Sequence, residues 1–393
     1  MRHRFESFGG IIASDEPPFL AFVDRLLMRE LGLGESPLWE SADERIGLLS
    51  APTEVHLATT SACAVRCDHC YMDAGEKAAD EMDGAALRHA LELLAAMGVF
   101  HVALGGGEAL LRSDLFDAAR YARELGLVPN LTISGGAMSR ELARRMAVFG
   151  QVNVSVDGIG PYAGAFRAAA LFERADAAIS MLLDAGVPAG INCVLGRRNF
   201  DGLPGLFAYA KDKGCNEIEL LRLKPAGRGA VAFLAQRTSY EQNVALTPLL
   251  AELSQRHGLR AKLDCSFVPM MCHHRPPLEL LEATATYGCE AANVLVGVRS
   301  DGTVAACSFL PGAGFRVGEL RERWRTDPGF AELRGWAERA PEPCRSCAYL
   351  GICKGGCHAV AAFVSGSIFD PDPDCPRVVE HRSGQAGEDA HAP

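Results

Sequence analysis

"CAVRCDHC", Cys63 to Cys70, places three cysteines in eight positions with the spacing C-x3-C-x2-C, and the reading of the whole chain turns on it. Three thiols so close together act as one donor set. Three is one short of the four ligands that close a structural zinc tetrahedron. No histidine follows Cys70 at zinc-ligand spacing, and His69 lies between two of the thiols. A cubane iron–sulfur cluster held by three thiolates leaves one iron open to a small molecule.

Outward from this stretch the sequence alternates between strand and helix. Six short apolar runs bounded by Gly, Pro or polar residues read as strands: "EVHLATT" (54–60), "FHVALG" (100–105), "LVPNLTIS" (127–134), "QVNVSVD" (151–157), "PAGINCVL" (188–195) and "NEIELLRL" (216–223). Amphipathic helices lie between them. One starts at Ser113 as N-cap and stops at Gly126; two others stop at Gly186 and Gly214. Such repeated units imply a parallel sheet with helices outside it. Parallel α/β folds place ligands at the C-terminal ends of their strands. The cysteine trio follows the first strand and "GGGE" follows the second, so both motifs fall at that edge.

The chain has 393 residues, which suits one large domain with appendages. A net charge of −10 argues against a nucleic-acid surface. No apolar run is long enough to cross a membrane, and the charged start "MRHRFESFGG" leads into no secretory signal. Fourteen cysteines in a chain of this size, without an export signal, point to metal or redox chemistry in a reducing cytoplasm. Seven lie near the end: Cys289, Cys307, then "CRSCAYLGICKGGC" with Cys344, Cys347, Cys353 and Cys357, then Cys375. From spacing alone this group reads as zinc or as iron–sulfur. Cys193 and Cys215 read as buried apolar residues.

These motifs resemble those of the radical S-adenosylmethionine enzymes. Cys63, Cys67 and Cys70 match that family's cluster motif, and Tyr71 its following aromatic residue. "GGGEAL" (105–110) resembles its glycine-rich second-strand motif, with Ala109 where proline is usual. "VSVDG" and Arg167 resemble the segment near the cofactor's ribose and carboxylate, and "LKPAGRG" (224–229 with Leu223) the end of the sixth strand. The C-terminal seven cysteines match the SPASM pattern. The resemblance covers about residues 52 to 380 and is strongest to the peptide-modifying maturases of the mycofactocin type.

The resemblance implies a partial (β/α)6 barrel, an α/β fold, over residues 51–235. A linker of helix and strand (236–285) and a cysteine-rich SPASM lobe (286–380) would follow. It implies S-adenosylmethionine bound at Tyr71, Gly105, Gly106, Gly107, Glu108, Ser155, Asp157 and Arg167, beside a [4Fe-4S] cluster on the first cysteines. Glu108 would accept from the cofactor's ammonium group; otherwise it is a solvated loop carboxylate. Ser155 and Asp157 sit at a strand end and otherwise form a turn. Arg167 holds the cofactor carboxylate or simply snorkels from a helix. Arg222, Lys224 and Arg228 are weaker candidates for such contacts and otherwise form a solvated basic loop. Two auxiliary [4Fe-4S] clusters are implied, one on Cys289, Cys307 and Cys357, the other on Cys344, Cys347, Cys353 and Cys375. The first lacks a fourth ligand: Cys265 or Cys272 closes it, or an iron stays open, and the open iron is the expectation.

The implied activity is generation of a 5′-deoxyadenosyl radical to oxidise, decarboxylate or cross-link a peptide or protein substrate, with an electron donor such as flavodoxin or ferredoxin. Rival readings are a sulfatase-type formylglycine maturase, a tetrapyrrole-type cofactor enzyme and a non-catalytic zinc-binding interaction protein. Residues 1–50 read as a short strand, a proline turn, a strand "FLAFV" and a helix through Leu31, either a reduced peptide-recognition element or a cap on the barrel. Residues 381–393 read as a disordered tail.

Overall fold

The computed structural model describes residues 1–40 and 47–389. The chain begins with a small antiparallel sheet of β1 (Arg2–Glu6), β2 (Gly9–Asp15) and β3 (Pro18–Asp24), followed by a helix, Arg25–Glu30. This is one strand more than the sequence suggests. A tight turn at Ser7 and Phe8 pairs Glu6 with Gly9 and splits the first apolar stretch into a hairpin.

All six expected barrel strands form: β4 (Glu54–Thr60), β5 (His101–Gly106), β6 (Val128–Ile133), β7 (Gln151–Ser155), β8 (Ala189–Leu195) and β9 (Glu217–Arg222). They pair in parallel, each with the next. The sheet does not end there. β10 (Arg260–Leu263), from the stretch read as a linker, adds in parallel to β9. β11 (Leu295–Val298) adds in parallel to β4, and β12 (Thr303–Ala305) and β13 (Gly312–Arg316) extend it antiparallel. Among the described residues this makes one ten-stranded sheet, order β10-β9-β8-β7-β6-β5-β4-β11-β12-β13. The cysteine-rich lobe therefore adds its strands to the edge of the first barrel strand.

One face of the sheet carries Leu57, Leu104, Leu131, Val154, Ile191 and Leu220, all buried against Leu87, Leu91, Leu115, Ile179, Leu182 and Leu206 of the outer helices. Each such side chain contributes about 1.5–3 kcal/mol by leaving water. The helix after β5 runs Leu115–Glu124, and its N-cap is Asp114, not Ser113; neither side chain makes a cap bond there. Asp114 instead pairs with Arg112 at 2.6 Å. Cys193 and Cys215 are core residues, as expected.

Arg4 docks the small sheet. Its buried guanidinium donates to the carbonyls of Ala51 (2.7 Å), Pro52 (2.9 Å) and Gly98 (2.9 Å) and pairs with Glu6 at 2.7 Å. Those carbonyls lie just before β4 and β5. The N-terminal sheet therefore caps the N-terminal ends of the strands, about 20 Å from the opposite edge at 3.3 Å per residue. At the other terminus a helix, Pro376–Asp389, runs into the stretch expected to be a disordered tail. The helix is anchored by buried Val378, and the polar residues after it continue its turns. Residues 390–393 lie outside the described residues.

Candidate functional site

The cysteine loop leaves β4 at Thr60 and is closed by backbone bonds: Cys63 N–H donates to Gly75 O (2.8 Å) and Gly75 N–H to Ser61 O (3.0 Å). Within it, Val65 N–H points at Cys63 Sγ (3.4 Å) and Ala74 N–H at Cys70 Sγ (3.3 Å). Amides aimed at sulfur favour the thiolate, the form that binds metal. All three thiols are partly exposed, and among the described residues all fourteen cysteines are free of disulfides. Burial pushes the Cys67 thiol up to about 11 while Arg167 opposes it.

The end of β5 presses against this loop. A Cβ at Gly106 (φ +126°) would stand 2.3 Å from Thr60 O, and one at Gly107 2.3 Å from Ala62 O and 2.9 Å from Cys63 Cβ. Those two glycines serve backbone-to-backbone approach. Gly105 differs: no atom lies within 4 Å of its Cβ position, so the space above it is open. Glu108 is no solvated loop carboxylate. It is 4% exposed, and its Oε2 accepts from the amide (3.0 Å) and the hydroxyl of Ser134, at the end of β6.

Asp157, just beyond β7, is fully engaged. Its Oδ2 lies 2.6 Å from Arg167 Nε and 3.0 Å from His69 Nε2, and its Oδ1 accepts Val194 N–H at 2.9 Å. Burial would raise this carboxyl, but the Arg167 and His69 charges outweigh it and hold it well below the usual carboxylate range. His69 also stands 3.1 Å from Arg167 Nη2 and packs on Phe166 at 5.2 Å. So the cysteine motif's own histidine fastens it to the fourth barrel strand, a role the sequence reading missed. Ser155 lends its carbonyl to Arg167 at 3.5 Å and, with Arg167, lines a small cavity. Arg167 is neither snorkelling nor free-standing.

The basic residues at the end of β9 and just past it are all paired, with Arg222 and Lys224 buried and Arg228 half-buried. Arg228 donates to Cys67 O (3.0 Å), Ala74 O (2.9 Å) and Asp73 (2.6 Å). Gly227 (φ +53°) meets the same loop so closely that a Cβ would stand 2.5 Å from Cys70 O. Arg222 forms a buried bidentate pair with Asp372 (2.5 and 2.9 Å) and reaches Asp374 (2.7 Å). Lys224 is buried against Asp264 at 3.3 Å. The glycines of "LKPAGRG" were the available signal: Gly–Arg–Gly suits an arginine laid on a backbone.

The C-terminal thiols gather in two groups. Cys289, Cys307 and Cys357 lie within charge-interaction range of one another, and Cys344 and Cys375 lie within that range of each other and of both Cys347 and Cys353. Burial pushes Cys289, Cys307 and Cys344 up to about 12. Tyr71 joins the two regions: its ring meets Phe309 edge-on at 5.1 Å, and Phe309 N–H points at Cys307 Sγ at 3.4 Å. Among the described residues, no three His, Cys, Asp or Glu side chains converge as ligands of one metal ion do. A multi-iron cluster is wider than an ion, so its thiolates stand around it rather than at a point. The half-exposed thiols, the amides aimed at them and the open space at Gly105 fit such a cluster with a ligand beside it.

Residues 57–208 match the model of the Radical SAM superfamily. The chain is 30% identical over 356 residues to the mycofactocin maturase MftC of Mycobacterium ulcerans, covering 88% of this chain and 93% of that one. It is 28% identical over 351 residues to the AdoMet-dependent heme synthase of Methanosarcina barkeri, covering 84% and 98%. It is 31% identical over 355 residues to the PqqA peptide cyclase of Xanthomonas campestris, covering 87% and 91%. The solved structure of Streptococcus suis SuiB bound to precursor peptide SuiA shares the fold, with a TM-score of 0.73 at 16% identity over 95% of this chain and 98% of that one.

Proposed function

This chain belongs to the radical SAM superfamily, and on that premise we propose that it is an enzyme that modifies a peptide or protein substrate by radical chemistry. The observation that carries the reading is a meeting of three parts at one edge of the parallel sheet. These are the amide-supported thiols of Cys63 and Cys70 with Cys67, the end of β5 with open space at Gly105, and the C-terminal thiols reached through Tyr71 and Phe309. When bound, S-adenosylmethionine and a [4Fe-4S] cluster at that edge supply one-electron cleavage to a 5′-deoxyadenosyl radical, which takes a hydrogen atom from the substrate.

The chain's own residues position and balance that chemistry. Cys63, Cys67 and Cys70 hold the cluster. Ser134 orients Glu108, whose Oε1 keeps acceptor capacity for an ammonium group. Arg167, held by Asp157, sets a positive charge beside Cys67 and toward a carboxylate. Ser155 lines the same cavity, and Tyr71 covers the loop's other side. Cys289, Cys307 and Cys357, and Cys344, Cys347, Cys353 and Cys375, are assigned to two auxiliary [4Fe-4S] clusters.

An electron donor such as flavodoxin or ferredoxin, a cytoplasmic setting and an acidic surface without nucleic-acid partners complete the reading. No described helix is long and apolar enough to cross a membrane. The small N-terminal sheet, with β3 as an edge strand, is assigned to docking of the peptide. The test is anaerobic: reduced protein is given S-adenosylmethionine and peptides encoded beside this gene, and 5′-deoxyadenosine and peptide mass are followed. A peptide mass change coupled to deoxyadenosine supports the reading. Deoxyadenosine coupled only to a tetrapyrrole would transfer the assignment to small-molecule chemistry.

A further inference from the structure

We infer that Cys265 is the fourth thiolate of the nearer auxiliary site, completing a set with Cys289, Cys307 and Cys357; this rests on the iron–sulfur reading of the C-terminal thiols. The open iron expected from the sequence is thereby replaced by a protein ligand.

Cys265 sits just past β10, in a short 3-10 turn, Cys265–Phe267, that Asp264 caps. The turn is held from both sides. Asp264 N–H donates to Leu220 O at 3.0 Å, and Asp264 Oδ2 accepts Arg222 N–H at 2.9 Å. Two buried cations then tie the residues beside Cys265 to the residues beside Cys357 and Cys307. Arg222 donates to Ser266 O (3.1 Å) and to Asp372, whose Oδ2 accepts Cys357 N–H at 2.9 Å. Lys224 binds the Ser266 hydroxyl and Asp264 and lies over the Phe309 ring at 5.3 Å, and Phe309 N–H points at Cys307 Sγ. The same segment abuts the Cys357 loop directly: a Cβ on Gly356 would stand 2.9 Å from the Pro269 ring. In this arrangement the Cys265 thiol comes within charge-interaction range of Cys289, Cys357 and Cys307.

The rival cysteine lies on the wrong side. Cys272 is buried among Val268, Leu281 and Ile352 and neighbours Cys347 and Cys375, a group that already has four thiols. A nearer site with four protein thiolates has no iron left to grip a substrate. It relays electrons only.

The experiment uses full-length protein carrying Cys63→Ala, Cys67→Ala and Cys70→Ala, so that only auxiliary iron contributes. Iron, sulfide and the EPR signal of the reduced protein are measured in this background alone, with Cys265→Ala and with Cys272→Ala. Cys265→Ala should lose about four irons or shift one of two auxiliary signals, and Cys272→Ala should change neither. Cyanide added to the background protein should leave its auxiliary signals unmoved, a measurement that needs no further variant to fold. Full iron with an unchanged signal in Cys265→Ala, or a cyanide-induced shift in the background protein, overturns the inference. Background protein that binds zinc and no iron fails differently: it overturns the iron–sulfur reading of the lobe itself.

Discussion

Arg228 Nε donates to the carbonyl oxygen of Cys67 at 3.0 Å, across 161 residues of sequence. The same guanidinium takes Ala74 O, so the sixth strand's exit loop clamps the cysteine loop at two carbonyls. Hydrogen bonds from a charged donor contribute about 1.5–3 kcal/mol each. Arg228→Ala should therefore loosen the loop, lower first-site iron and slow 5′-deoxyadenosine formation by about tenfold or more. Iron analysis beside a deoxyadenosine assay checks this, and full iron with undiminished turnover would remove the clamp from the argument.

The glycines of "GGGE" should separate by function. Gly105→Ala meets nothing within 4 Å and should leave thermal stability unchanged while weakening S-adenosylmethionine binding. Gly107→Ala drives a Cβ into Ala62 O and should impair the loop itself, with loss of first-site iron. Calorimetric binding and a melting curve on both variants distinguish a ligand cradle from a packing contact.

Removing Cys63, Cys67 and Cys70 together should abolish deoxyadenosine formation and remove about four of about twelve irons per chain. The C-terminal thiols lie on other segments of the chain, outside the strands of the sheet, so their iron should persist. Undiminished deoxyadenosine would contradict the first-site assignment.

Asp157→Asn leaves Arg167 buried without its counter-charge. Loss of one partner of a buried pair costs about 3–5 kcal/mol, so the variant should melt well below the parent and lose iron. The acid dependence has a definite sign. Because Asp157 is held below its ordinary value, its contribution is present above the unfolded carboxylate pKa and is lost only as pH falls through the lower folded value. The melting difference between parent and variant should thus persist from about pH 5 to 8, carried by Arg167, and vanish only in stronger acid. A difference that disappears near neutrality would assign the effect to another group.

The six barrel strands were legible because each is a local pattern, short, apolar and bounded by turn residues, and all six appear within about two residues of their expected ends. β10 and β11 were not legible as sheet members. "RAKL" and "LVGV" are only four residues each, and they become strands because β9 and β4 offer unpaired edges. Edge pairing of that kind is a tertiary event.

Charge was the least legible property. Arg222 and Lys224 looked like a solvated loop because the residues that bury them, Asp372 and Asp264, lie 150 and 40 positions away. His69 looked misplaced among metal ligands because Asp157 is 88 residues on. The spacing of the cysteines and the strand–helix alternation are written along the chain, since thiol donors and hydrophobic periods act between near neighbours. Which carboxylate holds which cation, and on which side of the lobe Cys265 falls, depended on what folds over each group. A buried charge takes its state from the partners that reach it through space, and no local run of sequence names them.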